Sequence, residues 1–371
     1  MTEREAFIAL NQVPGLGAIT VRRMIEVFGS ATAIFSAAER DFLRVQGVGV
    51  ERAQSFRRGL DQVRAESELA RAAELGVQLL TWADAAYPAL LKTIADPPLV
   101  LYVAGSVESL AGPSIAVIGT RHPTVYGREM AQHVAFQLAG AGYVIVSGLA
   151  LGIDTQAHRG ALQAGGRTVG VLGGALDCLY PKENEPLARE ISAKGGAVMC
   201  EYPFGRQPDR QTFPMRNRIV SGLVKGVVVV EAPLNSGTLI TVDQALDQGR
   251  SVMALPGRAD SPASAGCHRL IRSGARLVTS ADEVIEELQE LLPVAKLQAT
   301  VCKTVVKEQP PAPPVSAEER RLLDQIGNEP VHVDALIRES GLPAGTVNAL
   351  VVGLQIKRCV KLLPGGLVKR A

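Results

Sequence analysis

The chain has 371 residues, 47% of them hydrophobic, and a formal net charge of only +2. That length suits two or three domains with well-buried cores, and so slight a charge means that an anionic partner must be met by a local patch. Five scattered cysteines (Cys178, Cys200, Cys267, Cys302, Cys359), odd in number and without a CxxC pair, argue against a disulfide framework or a zinc site.

The opening "MTEREAFIALNQ" has acids but no signal-peptide core, and no window of 18 apolar residues appears. A soluble, cytoplasmic protein is expected. Residues 1–80 read as helical. Two segments, "VPGLGAITVRRMIEVFG" and "VQGVGVERAQSF", each place an apolar residue before a Gly-x-Gly hairpin that opens a helix, the pattern of paired helix-hairpin-helix units. Such hairpins leave amides free for a nucleic-acid phosphate; a plain helical turn with glycine caps is the alternative.

From about 113 to 292 apolar runs alternate with helical stretches. "SIAVIG", "YVIVSG", "TVGVLGG", "AVMCEY", "GVVVVEA", "SVMALPG" and "RLVTS" read as strands of a parallel sheet with helices on both faces. Residues 293–315 carry prolines without a period and read as a linker. After them come three helical segments and the hairpin "KLLPGGLVKR", the layout of a winged helix. From 315 onward eight basic residues face six acidic ones, so strong phosphate binding is not expected there.

In an open parallel sheet, ligands bind beyond the carboxyl ends of the strands. The expected turns there are "GTRHPTVYG" with Gly119, Thr120 and Arg121, "SGLALGIDTQAH" with Ser147 and Gly148, and "EAPLNSGTLIT" with Asn235, Ser236, Gly237 and Thr238. Each alone fits tight packing; together they describe a row of anion-holding turns. Just before "GVVVVEA", residues 206–218 hold Arg206, Arg210, Arg216 and Arg218 against one acid, Asp209, with Phe213 among them. Guanidinium groups beside an aromatic ring form a minimal grip on single-stranded nucleic acid. The alternatives are a core role for Phe213 and a capping role for Asn217 or Arg218.

No GxxxxGK[ST], GxGxxG or HExxH motif is present, so no nucleotide-triphosphate loop, dinucleotide fingerprint or metal constellation is expected. Asp154 and His158 lie four apart on one helix face; a helix-start acid and a satisfied histidine are expected, with a catalytic or metal-binding pair as the alternative. The strand-end carboxylates Glu201 and Glu231 are candidates for Mg2+ or acid–base work, although Glu231 is better placed to accept hydrogen bonds from turn amides or an arginine.

The motifs "IAVIGTRHPTVYG", "VIVSGLALGIDTQAH", "TVGVLGGALDCLYPKEN", "FPMRNRIVSGL", "VVVVEAPLNSGTLIT" and "GRSVMALPG", in this order and spacing, resemble the DNA-processing protein A family (DprA, also called Smf). What the resemblance implies is an α/β chain: a helical SAM or helix-hairpin-helix-like domain at 1–80, a Rossmann-like DNA-binding domain at 81–292, the linker, and a winged-helix-like domain at 316–371. It also implies sequence-independent binding and protection of single-stranded DNA, loading of the RecA recombinase in natural transformation, and a homodimer formed through the Rossmann-like domain. Single-strand binding protein is a further candidate partner; no catalytic residue, cofactor, metal or membrane is expected. The site residues so implied are Gly119, Thr120, Arg121, Ser147, Gly148, Lys182, Arg210, Phe213, Asn217 and Arg218, with Ser236 and Gly237 added from the third turn. Thr120 and Cys200 stand where serine is common in the family. "NSGTLIT" also resembles the phosphoribohydrolases that carry PGGxGTxxE, the source of an alternative reading as a nucleotide-directed hydrolase, but Thr241 occupies the glutamate position.

Overall fold

The computed structural model describes residues 1–290, 316–327, 330–357, 359–363 and 365–370. The chain forms two compact units, Met1–Ala295 and Lys296–Ala371. The linker expected at 293–315 lies outside the described residues.

The first unit opens with α1 (Glu3–Leu10), α2 (Ala18–Phe28), α3 (Ala31–Ser36), α4 (Val50–Gln62) and α5 (Ala65–Glu74). Thr2 and Glu5 close a capping box at the start of α1. The two hairpins stand where the sequence puts them, with Gly15 and Gly47 at φ +74° and +82°, backbone that favours glycine. Gly17 and Gly49 open α2 and α4 without a side-chain cap.

Strand β1 (Val77–Thr81), α6 (Ala89–Lys92) and β2 (Val100–Gly105) lead into β3 (Ser114–Ile118), α7 (Val125–Gly140), β4 (Val144–Ser147), α8 (Ile153–Gln163) and β5 (Thr168–Val171). Then follow α9 (Glu185–Ala193), β6 (Ala197–Cys200), α10 (Thr212–Gly222), β7 (Gly226–Val229), α11 (Thr238–Asp247), β8 (Ser251–Ala254), α12 (Ala265–Arg272), β9 (Arg276–Leu277) and α13 (Ala281–Glu290). The nine strands form one sheet in the order β1-β2-β6-β5-β4-β3-β7-β8-β9. All seven strands read from the sequence are present and parallel to their neighbours among themselves. Two more were not foreseen. Val77–Thr81, placed by sequence in the helical front, is an edge strand antiparallel to β2, which in turn runs antiparallel to β6. Five residues of "VQLLT" after a helix carry too little period to announce a strand whose partner lies twenty residues downstream.

Both faces of the sheet are buried, as continuous apolar strands require. Ile115 and Val117 of β3 enter one core with α7, α8 and α13, while Ala116 and Ile118 enter the opposite one with α10 and α11. A third core joins α1–α5 to β1, β2 and α9. In the second unit, α14 (Ala317–Gln325), β10 (Val331–His332), α15 (Val333–Ser340), α16 (Ala344–Ile356), β11 (Val360–Leu363) and β12 (Leu367–Arg370) build a winged helix around Leu322, Leu336, Val347 and Leu354. Among the described residues no helix is long and apolar enough to cross a membrane.

Candidate functional site

The chain lays β4, β5 and β6 on one side of β3 and β7, β8 and β9 on the other. Loops that follow β3 and β7 therefore diverge, and a crevice opens at this reversal of winding. It is a cleft of about 460 Å³, lined by residues of the turns after β3, β4 and β7 and by one face of α10. Gly119, Thr120, Arg121, Gly148, Phe213, Asn217, Ser236 and Gly237 all line it.

The first turn is pinned by Glu231. Its backbone oxygen accepts from the Thr120 amide at 2.8 Å, and its buried carboxylate accepts from the Thr124 amide and hydroxyl at 2.9 and 2.6 Å. The turn-amide role expected for Glu231 is the one observed, so this carboxylate is already engaged at the start of α7. Arg121 is left exposed at the mouth.

The second turn differs from the expectation. Ser147 is fully buried and donates its hydroxyl to the Val117 carbonyl at 2.8 Å. The Gly148 amide donates to the Asp154 carboxylate at 3.0 Å. The Ser147 hydroxyl is thus engaged by Val117, and the acid at the start of α8 takes the Gly148 amide together with that of Ala150. Gly148 matters for another reason: a Cβ there would lie 1.6 Å from Nη1 of Arg216. The third turn keeps its openness. Ser236 bridges to the Thr238 hydroxyl and amide at 2.9 and 3.2 Å, and Gly237 is exposed at the N-terminus of α11.

Helix α10 divides the basic segment between two directions. Residues three and four apart share a helix face, so Phe213, Arg216, Asn217 and Val220 face the cleft. Half-buried Phe213 carries the Arg121 guanidinium 5.1 Å from its ring centroid and meets the Tyr180 ring at 5.9 Å. Arg216 forms the floor. It is 5% exposed, donates from Nη1 to the Val171 carbonyl at 2.9 Å, and leaves Nε without a partner. Burial pulls its pKa down to about 10, Asp154 opposes this, and Arg121 adds to it.

Arg218 points the other way. Buried in the fold, it donates to Asp96 at 2.7 Å and to Glu201 at 2.5 Å, so its charge is neutralised within the protein and the phosphate role expected of it is not available. Arg210 is exposed on the turn before α10, outside the cleft lining, and Lys182 lines a neighbouring groove. Sequence reasoning counted Arg216 among the local cations but left it, and Tyr180, out of the site. The helical spacing Phe213-x-x-Arg216 was the available signal for the arginine; Tyr180 arrives from the loop after β5 with no local signal.

His158 is fully buried, with Nδ1 2.7 Å from the Thr168 hydroxyl. That hydroxyl donates to the Ile145 carbonyl at 2.6 Å, so Nδ1 is the donor and Nε2 is left without a partner. Among the described residues no group of three or more His, Cys, Asp or Glu side chains is placed to hold a metal.

The family model of DNA recombination-mediator protein A matches residues 78–289, more than half of the chain. The chain belongs to that family. A second model, the DprA winged helix domain, matches residues 306–366. The DNA processing protein DprA of Bacillus subtilis is 44% identical over 223 residues, which is 60% of this chain and 75% of that one. The solved DNA processing protein A of Streptococcus pneumoniae has a TM-score of 0.67 at 35% identity and covers 77% of this chain and 98% of its own. DNA processing protein A of Helicobacter pylori, solved to describe its single-stranded DNA binding mode, has a TM-score of 0.52 at 32% identity, with 58% and 98% covered. The recombination-mediator match spans β1 through α13, and so contains the whole cleft.

Proposed function

We propose that this member of the recombination-mediator family binds single-stranded DNA in the cleft without sequence preference. In this reading it protects the strand, loads RecA onto it during transformation and recombination in the cytoplasm, and catalyses no reaction. The observation that carries the reading is Arg121 lying over Phe213 at the cleft mouth, with Arg216 buried beneath. An exposed cation, an aromatic ring and a buried cation meet phosphate and base together, and stacking of this kind tolerates any sequence. The Helicobacter pylori relative, solved in the context of single-stranded DNA binding, supports it.

The proposed contacts are Gly119, Thr120, Arg121, Phe213, Arg216, Asn217, Ser236 and Gly237. Arg210 and Lys182 extend the basic rim outside the cleft, while Ser147, Gly148 and Arg218 shape the fold around it. Against a hydrolase stand Thr241 at the position of the expected acid and a Glu231 already bound by Thr124. In the same reading the chain carries, in sequence order, a helical front at 1–80, a DNA-holding domain at 81–292 that also forms a homodimer, and a winged helix at 316–371.

Fluorescence anisotropy with single- and double-stranded oligonucleotides at two salt concentrations tests the reading. Neutralising about three phosphates gives a log–log salt slope near −2, at about 0.7 per contact for single strands. Arg121→Ala should flatten the slope by about 0.7 and weaken all sequences alike. Equal affinity for duplex, or an unchanged slope in Arg121→Ala, would reject it.

A further inference from the structure

Phe213 cannot be an open platform on every side: the Arg121 guanidinium already covers its ring, and Tyr180 packs against it at a 55° tilt. Tyr180 is the opposite case. It is 51% exposed and belongs to none of the apolar cores, so half of its surface is open to a ligand. It lines the small pocket that it shares with Arg121, Gly148, Phe213 and Arg216. It also lines the adjoining groove of about 920 Å³. One aromatic side chain thus borders both the small pocket of the Arg121–Phe213 pair and the adjoining groove.

The groove has the character of a continuing track. Its walls include apolar Leu176, Leu179, Ala188 and Val198, and Lys182 lies two residues past Tyr180. Arg189 is engaged by Glu185, whereas Lys182 is exposed and makes no ion pair among the described residues. Apolar walls suit the faces of bases, and an unpaired ammonium suits a phosphate.

We propose that Tyr180 is a second stacking platform, and that a bound single strand leaves the cleft across its ring and runs into the groove past Lys182. This rests on the cleft reading above, which the same experiment tests separately. The occupant is the next stretch of the same strand, since Tyr180 lines both the groove and the pocket that holds the Arg121–Phe213 pair.

The test uses the full chain with labelled oligothymidylates of about 4 and about 16 nucleotides, a span of single-strand site sizes. Tyr180→Ala should weaken the long oligonucleotide roughly tenfold more than the short one, within the range of one lost stacked base. Tyr180→Phe should behave as wild type, because stacking needs the ring and not the hydroxyl. Lys182→Ala should reduce the salt slope by about 0.7 on the long oligonucleotide alone. The proposal is overturned if Tyr180→Ala binds the long oligonucleotide like wild type, which would give the groove to another partner such as an apolar peptide. It is equally overturned if both lengths weaken alike, which would make Tyr180 a mere support for Phe213. Arg121→Ala is the separate control: no loss on either length rejects the cleft reading itself, whatever Tyr180 does.

Discussion

At the scale of single residues, Gly148 and Arg216 form the tightest coupling in the site. With a Cβ only 1.6 Å from Nη1, Gly148→Ala must push the guanidinium off the Val171 carbonyl. Overpacking of this kind costs about 1–3 kcal/mol, and the displaced arginine also leaves the cleft floor. Urea denaturation should show that loss, together with weaker strand binding. Gly237→Ala is the matching control. Nothing lies within 4 Å of its added Cβ and its φ is −59°, so its midpoint should hold or rise slightly. In sequence these two glycines look alike, each after a strand and beside a serine. What separates them is a side chain 68 positions downstream of Gly148, which no local pattern encodes.

At the scale of elements, α10 explains both how much of the site was legible and where legibility ended. Three arginines, an asparagine and a ring in "RQTFPMRNRIVSGL" announced an anion-facing segment, which the structure shows to be a helix. Its phase was the missing information, since nothing in the segment says which side meets the cleft. Phe213 and Arg216 face it, whereas Arg218 is tied to Asp96 and Glu201 at 8% side-chain exposure. Arg218→Ala would leave both carboxylates without their cation, with the Glu201 side chain only 13% exposed. Breaking such a pair costs about 3–5 kcal/mol, visible as a lower denaturation midpoint. Because Arg218 does not face the cleft, whatever variant remains folded should keep the salt slope of wild type.

At the scale of the whole molecule, the alternation of seven apolar runs was enough to give the parallel sheet and the edge at which the cleft opens. The antiparallel β1–β2 margin was not legible, because it depends on pairing between short segments with ambiguous period. One buried group links this fold to pH. Burial, helped by the nearby positive charge of Arg216, lowers the His158 pKa from 6.5 to about 3. The folded-state value lies below the unfolded one, so below pH 6.5 the unfolded chain takes up a proton that the folded chain refuses. The contribution of His158 is therefore complete above about pH 6.5 and is lost as pH falls toward 3, by up to about 1.4 kcal/mol per unit. Asp154 works in the opposite sense, its carboxyl raised by burial, with stability present at low pH and lost as pH rises through its folded value. Comparing wild type with His158→Gln isolates the imidazole: the variant should show a shallower fall in stability between about pH 6.5 and 4.

The bond from Arg218 to Asp96 reaches further than α10. Two residues beyond Asp96, the Pro98 carbonyl accepts from Trp82 Nε1 and from the Tyr87 hydroxyl, each at 2.7 Å. Trp82 also packs on Phe7 of the first helix, ring centroids 5.5 Å apart. The sole tryptophan of the chain is thereby wired to the helix that carries the cleft's ring and floor, and acts as a native optical gauge of that joint. Loosening the joint should red-shift its emission, while trimming Arg121 at the mouth should leave the spectrum untouched.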